Sequence, residues 1–314
     1  DGQYDFQYPL RTSEKLLPNL LETVKRMKST GYFESFTFAP ESRIRKLHIQ
    51  KDTFKKQAAE RTVQDHSTAG TAVVLYSAGT KTVLLTAAHV IDFPDTVLQF
   101  YKNEQGIHTP FVRRVMLKRR QKNYVADLAG GIDVQVLAAE PDWDIALLGK
   151  ISENLVGESI PVFDLKPGKV SALQWGAFVY VIGYPRGFAM LTSGVVSLSQ
   201  RNRKSRFFTD ALLNRGGSGS VVLAVGDGSS KLEWVGIATG TSAETEQFLV
   251  PANEVGTDFG EQRRYEGDIY IKKRLRSNYG ITSVTSIDAI LQFLDRNRKL
   301  LKSQGYNPDR IIKK

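Results

Sequence analysis

The spacing of apolar residues changes twice along the chain. From Ser13 to Lys28, Leu16, Leu17, Leu20, Leu21, Val24 and Met27 fall on one helical face, and Gly31 follows as a stop. Pro18 sits awkwardly inside that spacing and marks a second place where the helix could start. A polar stretch rich in Lys and Gln runs from Ile49 to Gln64. Residues 1–65 are therefore expected to form a partly helical N-terminal extension.

From about Thr71 the period shortens. Thr71–Tyr76, a turn at Ser77-Ala-Gly-Thr80, and Lys81–Thr86 read as a hairpin. Further strands are expected at Thr96–Tyr101, Val112–Leu117, Ile132–Leu137, Ile145–Leu148, Phe178–Ile182, Gly194–Leu198, Ser220–Val225 and Leu232–Ala238. Short strands at near-regular spacing favour a sandwich or barrel over βαβ units. The chain ends in a helix: Ser286 can cap it, Asp288 lies in its first turn, and Ile287, Ile290, Leu291 and Leu294 share a face. Lys299 and Lys302 suit its C-terminal end, and Gly305 closes it.

Composition narrows the field. The 314 residues are 41% hydrophobic and 24% charged, which is globular and not disordered. Lys and Arg number 43 against 33 Asp and Glu, for a net charge of +10, so anionic partners have to be considered. There is no cysteine, which excludes disulfides, thiolate metal sites and a Cys nucleophile. No apolar run reaches the roughly 18–20 residues of a membrane span. The first residue is Asp1, which fits either a removed targeting segment, as in an exported protein, or a trimmed chain.

Three segments carry residues with chemistry. They are Thr86-Ala-Ala-His89 after an apolar strand, Asp142-Trp-Asp144 before Ile-Ala-Leu-Leu148, and Asn214-Arg-Gly216-Gly217-Ser218-Gly219-Ser220. Alone, each has an ordinary reading as a structural histidine, a turn or cap, and a loop. Together they follow the order His…Asp…Ser. A serine hydroxyl needs an imidazole to take its proton, and the imidazole needs a carboxylate to hold its tautomer. The oxyanion needs backbone N–H donors, which glycines can bring close.

In these segments the sequence resembles the chymotrypsin-fold (trypsin-like) serine proteases, and within them the HtrA/Deg-type protease domain without a PDZ domain. The strings that carry the likeness are Leu84-Leu-Thr-Ala-Ala-His89-Val-Ile-Asp92, Asp144-Ile-Ala-Leu-Leu148, Val181-Ile-Gly-Tyr-Pro-Arg-Gly187, Thr192-Ser-Gly-Val-Val-Ser197, Thr209–Gly219 and Trp234-Val-Gly-Ile237. The resemblance implies an all-β fold of two six-stranded antiparallel barrels. It divides the chain into the extension at 1–65, a first barrel at 66–160, a second at 161–285, and a C-terminal helix and tail at 286–314. By the same likeness His89 is the general base, Asp144 the orienting carboxylate and Ser218 the nucleophile. Gly216 and Ser218 supply the oxyanion N–H groups, Thr239 backs Asp144, and Leu212, Leu213 and Thr241 line the specificity pocket.

Some positions depart from the pattern. Gly217 stands where the HtrA/Deg branch carries Asn and the trypsin-like branch Asp, so no activation switch based on that Asp is implied. Ser220 and Val221 replace Gly-Pro. Ile237-Ala-Thr-Gly240 holds no His, which argues against glutamate specificity.

The expected function is hydrolysis of polypeptides, including unfolded or misfolded ones, through an acyl-enzyme, with small or medium aliphatic residues before the scissile bond. The alternative is a silent protease-like scaffold that binds peptides or anionic surfaces. No cofactor or metal is expected, since His48, His66 and His108 lack ligand spacing. Basic clusters at Lys118-Arg-Arg120 with Lys122, Arg201–Arg206 and Lys272–Arg276 read as solvated charge or as an anionic dock, without specific nucleic-acid recognition. A homo-oligomer built through the N-terminal segment and a periplasmic or secreted location complete the expectation. Gly79-Thr-Lys81-Thr82 lacks the first glycine of a phosphate loop and is read as a hairpin turn.

Overall fold

A computed structural model of the chain describes Tyr4 and residues 16–50, 52–103, 105–128, 130–152, 160–198, 205–226, 231–251 and 267–311. The first barrel is built from β1 (Val24–Thr37), β2 (Glu60–Ala78), β3 (Lys81–Thr86), β5 (His108–Val125), β6 (Ile132–Glu140) and β7 (Ile145–Ile151), with β4 (Thr96–Lys102) added on β5. Its order is β1-β2-β3-β7-β6-β5, and β1 pairs back to β5 to close it. The second barrel contains β8 (Phe178–Gly183), β9 (Met190–Leu198), β10 (Arg206–Thr209), β11 (Ser220–Val225), β12 (Leu232–Pro251) and β13 (Ile269–Ser286). It closes in the order β10-β13-β12-β11-β8-β9. The fold is therefore all-β, two six-stranded antiparallel barrels, as expected.

Period-two alternation explains how the barrels join. On β2, Ala72 and Val74 fill the first barrel while Val73 and Leu75 point the other way. On β7, Ala146 and Leu148 face inward, and Ile145 and Leu147 face the junction. The second barrel mirrors this, with Val179 and Val181 inside and Tyr180 and Ile182 at the junction. Strands buried on both faces read as unbroken apolar runs, which is why Thr71–Tyr76 and Leu84-Leu85 stand out in the sequence. Helix α3 (Ile287–Arg296) lays Ile287, Ile290, Phe293 and Leu294 into the same junction.

The ends of the chain differ from expectation. Among the described residues of the stretch read as one long helix, only Leu16–Leu21 is helical (α1), and Val24 and Met27 belong to β1. Residues 24–37 are strand and pair with 60–73 in the first barrel, so 24–37 and 60–65 are not an extension beside it. Between them lie a short helix α2 (Lys46–Ile49) and a 3-10 turn at Asp52–Gln57. Tyr4 docks on the second barrel, where its hydroxyl donates to Glu233 at 2.9 Å and accepts from the Lys169 N–H at 2.7 Å. At the other end, Ser286 caps α3 by accepting from the Ala289 N–H at 3.3 Å. The helix breaks at Asn297, so Lys299 and Lys302 sit on a separate α4 (Arg298–Ser303), followed by α5 (Pro308–Ile311).

One buried carboxylate ties three strands. Glu34 on β1 is buried, takes a 2.7 Å hydrogen bond from Arg119 Nε on β5, and pairs with Arg61 on β2. The Arg119 guanidinium, with help from Arg61, holds the Glu34 carboxyl below the ordinary glutamate range despite the opposing effect of burial. A group held low in the folded chain adds stability above its ordinary range, and that stability is lost as pH falls through the depressed value. Glu34→Gln should therefore lower the unfolding free energy at pH 7 by about 1–3 kcal/mol. In denaturant titrations the gap to wild type should close in acid; a gap independent of pH would contradict this account.

Candidate active site

The three singled-out side chains come from both barrels. His89 lies in a 3-10 turn, Ala88–Val90, that follows β3; Ala88 and Val90 are buried and pin the turn while His89 stays exposed. Asp144 ends the turn between β6 and β7, with its N–H donating to the Pro141 carbonyl at 3.0 Å. Its φ of 55° is left-handed, a conformation that Asp tolerates better than most residues. Ser218 sits in the tight turn before β11, where the Gly217 N–H reaches Asn214 O at 2.9 Å and the Ser220 N–H reaches Gly217 O at 2.9 Å.

These residues meet in one hydrogen-bonded line. His89 Nδ1 is 2.8 Å from Asp144 Oδ2, and His89 Nε2 is 2.9 Å from Ser218 Oγ. The other carboxylate oxygen of Asp144 accepts the His89 backbone N–H at 2.8 Å, so both oxygens fix the same residue. With Nδ1–H donating to the carboxylate, Nε2 is left as the acceptor for the serine hydroxyl.

The loop carrying Asp144 is held from the second barrel. Thr285 Oγ on β13 donates to the Trp143 carbonyl at 2.5 Å, and Arg206 reaches the Asp142 carbonyl at 3.4 Å. Arg296 of α3 lies over the Trp143 ring at 4.6 Å. Thr239 was expected behind Asp144; its hydroxyl instead donates to the Ser283 carbonyl at 3.4 Å.

A residue not singled out in the sequence organises the Ser218 turn. Thr71 on β2 is fully buried, and its N–H donates to the Ser218 carbonyl at 2.8 Å. Its hydroxyl donates to the Gly216 carbonyl at 2.9 Å and accepts the Tyr184 N–H at 2.9 Å. Its carbonyl accepts from Thr86 Oγ at 2.7 Å. Gly219, with φ of 93°, must be glycine here: a Cβ would stand 2.0 Å from the Thr71 carbonyl oxygen. The backbone therefore approaches the first barrel more closely than any side chain permits.

Gly216 adopts φ of 91°, and a Cβ there would meet the Tyr184 carbonyl at 2.7 Å. The carbonyl of Arg215 is engaged by the Arg186 N–H at 2.6 Å. Among the described hydrogen bonds, neither the Gly216 nor the Ser218 N–H donates to the protein. Of the expected pocket residues, Leu212 is 53% exposed, whereas Leu213 is buried in the core of the second barrel beside Gly217. Thr241 is partly exposed on β12.

Open space lies near these residues. A cavity of about 690 Å³ adjoins His89 and Asp144, lined also by Phe93, Gln121 and Val136. A second, of about 410 Å³, lies between the barrels against Gly70, Thr68, Arg26 and Tyr184.

The basic cluster on β5 is largely matched internally. Lys118 pairs with Asp95 at 2.9 Å, Arg119 with Glu34, and Lys122 with Asp133 at 3.3 Å, while Arg120 covers the Tyr32 ring at 4.8 Å. Arg206 is described, but 201–204 of the second cluster lie outside the described residues. Among the described residues no group of three or more His, Asp or Glu side chains is placed to hold a metal ion.

Thr71→Val preserves the shape of the side chain and removes its hydroxyl, leaving the Gly216 carbonyl and Tyr184 N–H unpaired. A loss of about 1–3 kcal/mol is expected in denaturant unfolding; an unchanged midpoint would contradict the bridging role.

The trypsin-like peptidase domain matches the chain over residues 70–237. No curated protein matches the chain significantly. The matched span opens on the β2 residues that brace Ser218 and runs to Ile237 on β12. On this match and the two-barrel architecture, the chain belongs to the trypsin-like peptidase family, that of the chymotrypsin-fold serine proteases.

Proposed function

We propose that the protein is a serine endopeptidase in which Ser218 is the nucleophile, His89 the general base and then acid, and Asp144 the orienting carboxylate. The observation that carries this reading is the single line of contacts, 2.8 Å from Asp144 to His89 and 2.9 Å from His89 to Ser218. Ser218 Oγ attacks the substrate carbonyl as its proton passes to His89 Nε2, and Asp144 stabilises the imidazolium that results. The tetrahedral oxyanion takes hydrogen bonds from the N–H groups of Gly216 and Ser218. Collapse breaks the C–N bond, and the leaving amine takes the proton from His89. Water then enters by the same route in reverse, with His89 as base, and frees the acyl group from Ser218.

Several features support this reading over a silent scaffold. Both proposed oxyanion donors lack a described protein acceptor, and the Arg215 carbonyl beside them is already engaged elsewhere. One cavity adjoins His89 and Asp144 and a second lies between the barrels beside Gly70, leaving room for a substrate chain near the site. The exposed Leu212 and the absence of a His in Ile237–Gly240 favour small or medium aliphatic residues before the scissile bond. Such an apolar pocket discriminates by only about 1–3 kcal/mol per methylene, so the preference is graded.

Hydrolysis of a reduced, unfolded protein tests the reading directly. Ser218→Ala should lower the rate by about 10⁴-fold or more while leaving the thermal midpoint within a degree or two of wild type. A variant that cleaves at the wild-type rate overturns the assignment. Sequencing the product termini by mass spectrometry should place Val, Ala or Leu before most cuts. Cuts dominated by Arg, Lys or Glu would overturn the pocket. Gly216→Ala forces a Cβ against Tyr184 O and should lower kcat by about 10²-fold, with a smaller change in KM. An unchanged kcat would remove Gly216 from the oxyanion site.

A further inference from the structure

β12 has a neighbour on both sides for only part of its length. β11 pairs with it from Val225↔Leu232 to Ser220↔Ala238 and begins just after Ser218. The last rung is the Gly219 N–H to the Ala238 carbonyl, at 2.7 Å. Beyond that point β12 continues to Pro251 with β13 alone beside it, in register from Ala243↔Ser277 to Pro251↔Ile269. At about 3.4 Å per residue this ribbon extends roughly 30 Å from the barrel. Among the described residues, no strand pairs with the other edge of β12 beyond Ala238. The lane vacated by β11 thus passes Ser218 and follows β12 outward.

The two edges of the ribbon are chemically unlike. β13 carries Lys272, Lys273, Arg274 and Arg276, the kind of cations that blunt an exposed edge. From Thr239 to Val250, β12 carries no Lys, Arg or Pro. Its two charges are engaged by the partner strand: Glu246 pairs with Arg274 at 3.4 Å and Arg276 at 2.8 Å, and Glu244 accepts from Asn278 at 3.0 Å. Toward the tip, Leu249 is 69% exposed and its cross-strand neighbour Ile271 is 67% exposed, with Ile269 beside them. One edge is protected against pairing, and the edge continuous with Ser218 is open to it.

We propose that the open edge of β12, from Thr241 to Val250, is an extended track for the acyl side of a polypeptide substrate, which adds to it as an antiparallel strand. This rests on the reading of Ser218 as the nucleophile. A chain lying in the lane of β11 runs in the direction of β11, so its N-terminal end lies at the ribbon tip and its C-terminal end delivers a carbonyl to Ser218. Main-chain hydrogen bonds supply the affinity, and Leu249 with Ile271 offers apolar contact to residues about eight to ten positions before the scissile bond. The track selects long, unfolded segments, because a folded domain has no free strand of that length to offer.

The test uses peptides that share one scissile sequence and carry three, five, seven or ten residues on the acyl side. In wild-type protein kcat/KM should rise with length, about tenfold or more from three to ten residues, at roughly a threefold gain per added hydrogen bond. N-methylation of alternate amides in the distal acyl segment should remove the gain at every second position, whereas an isosteric edge-free contact would show no such alternation. A variant in which residues 245–275 are replaced by a two-residue Asn-Gly turn should bring the ratio of ten- to three-residue kcat/KM close to one. A flat length dependence in wild type, or N-methylation without effect, overturns the track. Fluorescence anisotropy of a labelled ten-residue acyl peptide on the Ser218→Ala protein reads the track without turnover. Binding should be at least tenfold tighter with the ribbon than without it, and equal affinity overturns the proposal. Failure to cleave even the three-residue peptide would count against Ser218 and leave this binding measurement standing.

Discussion

The site depends on the fixed backbone contact between Thr71 and the Ser218 turn. Four hydrogen bonds converge on Thr71: two hold the carbonyls of Gly216 and Ser218, one holds Tyr184, and one ties back to Thr86 on β3. The Ser218 turn belongs to one barrel and His89 and Asp144 to the other, so the spacing of the proposed triad is a spacing between barrels. A hydroxyl that bridges them in a buried junction is far more expensive to leave unpaired than the same group at the surface. The glycine at 219 serves the same contact, since it allows the two backbones to touch.

Around that contact the apolar junction provides rigidity. Val73, Leu85 and Leu147 from one barrel interleave with Ile182, Val221 and Ile237 from the other, and α3 seals them. Interiors packed in this way resist sliding, and a shift of about an ångström between nucleophile and base is enough to cost a hundredfold in rate. Thr285 and Arg206 add a polar counterpart by gripping the loop of Asp144 from the second barrel. Both halves of the proposed triad are thus braced from across the cleft.

The parts of the fold legible in the sequence are those where side-chain pattern and local chemistry agree. Strands buried on both faces, such as β3, β7, β8 and β11, appear as compact apolar runs, and His89, Asp144 and Ser218 each sit at the end of one. β1 was hidden because several of its buried positions are small and polar: Ser29, Thr30 and Ser35 are buried on the same strand as Met27 and Phe33, and the flanking leucines continue a helical phase. β13 was hidden because its outer half lies on an exposed ribbon where Lys and Arg replace the alternating apolar face. Thr71 could not be distinguished from any threonine opening a strand, since its role comes from partners more than a hundred residues away. Leu213 shows the converse: the likeness set it in the pocket beside Leu212, whereas the structure turns it into the core of the second barrel.

The central claim is that Ser218 is an activated nucleophile in the folded protein. Reaction of the native chain with a fluorophosphonate, followed by mass spectrometry of the digested product, tests it most directly. The account predicts one adduct per chain, on Ser218, that is lost when the protein is unfolded before the reagent is added. No adduct on Ser218 in the native chain, or labelling spread over other serines and unaffected by unfolding, would contradict it.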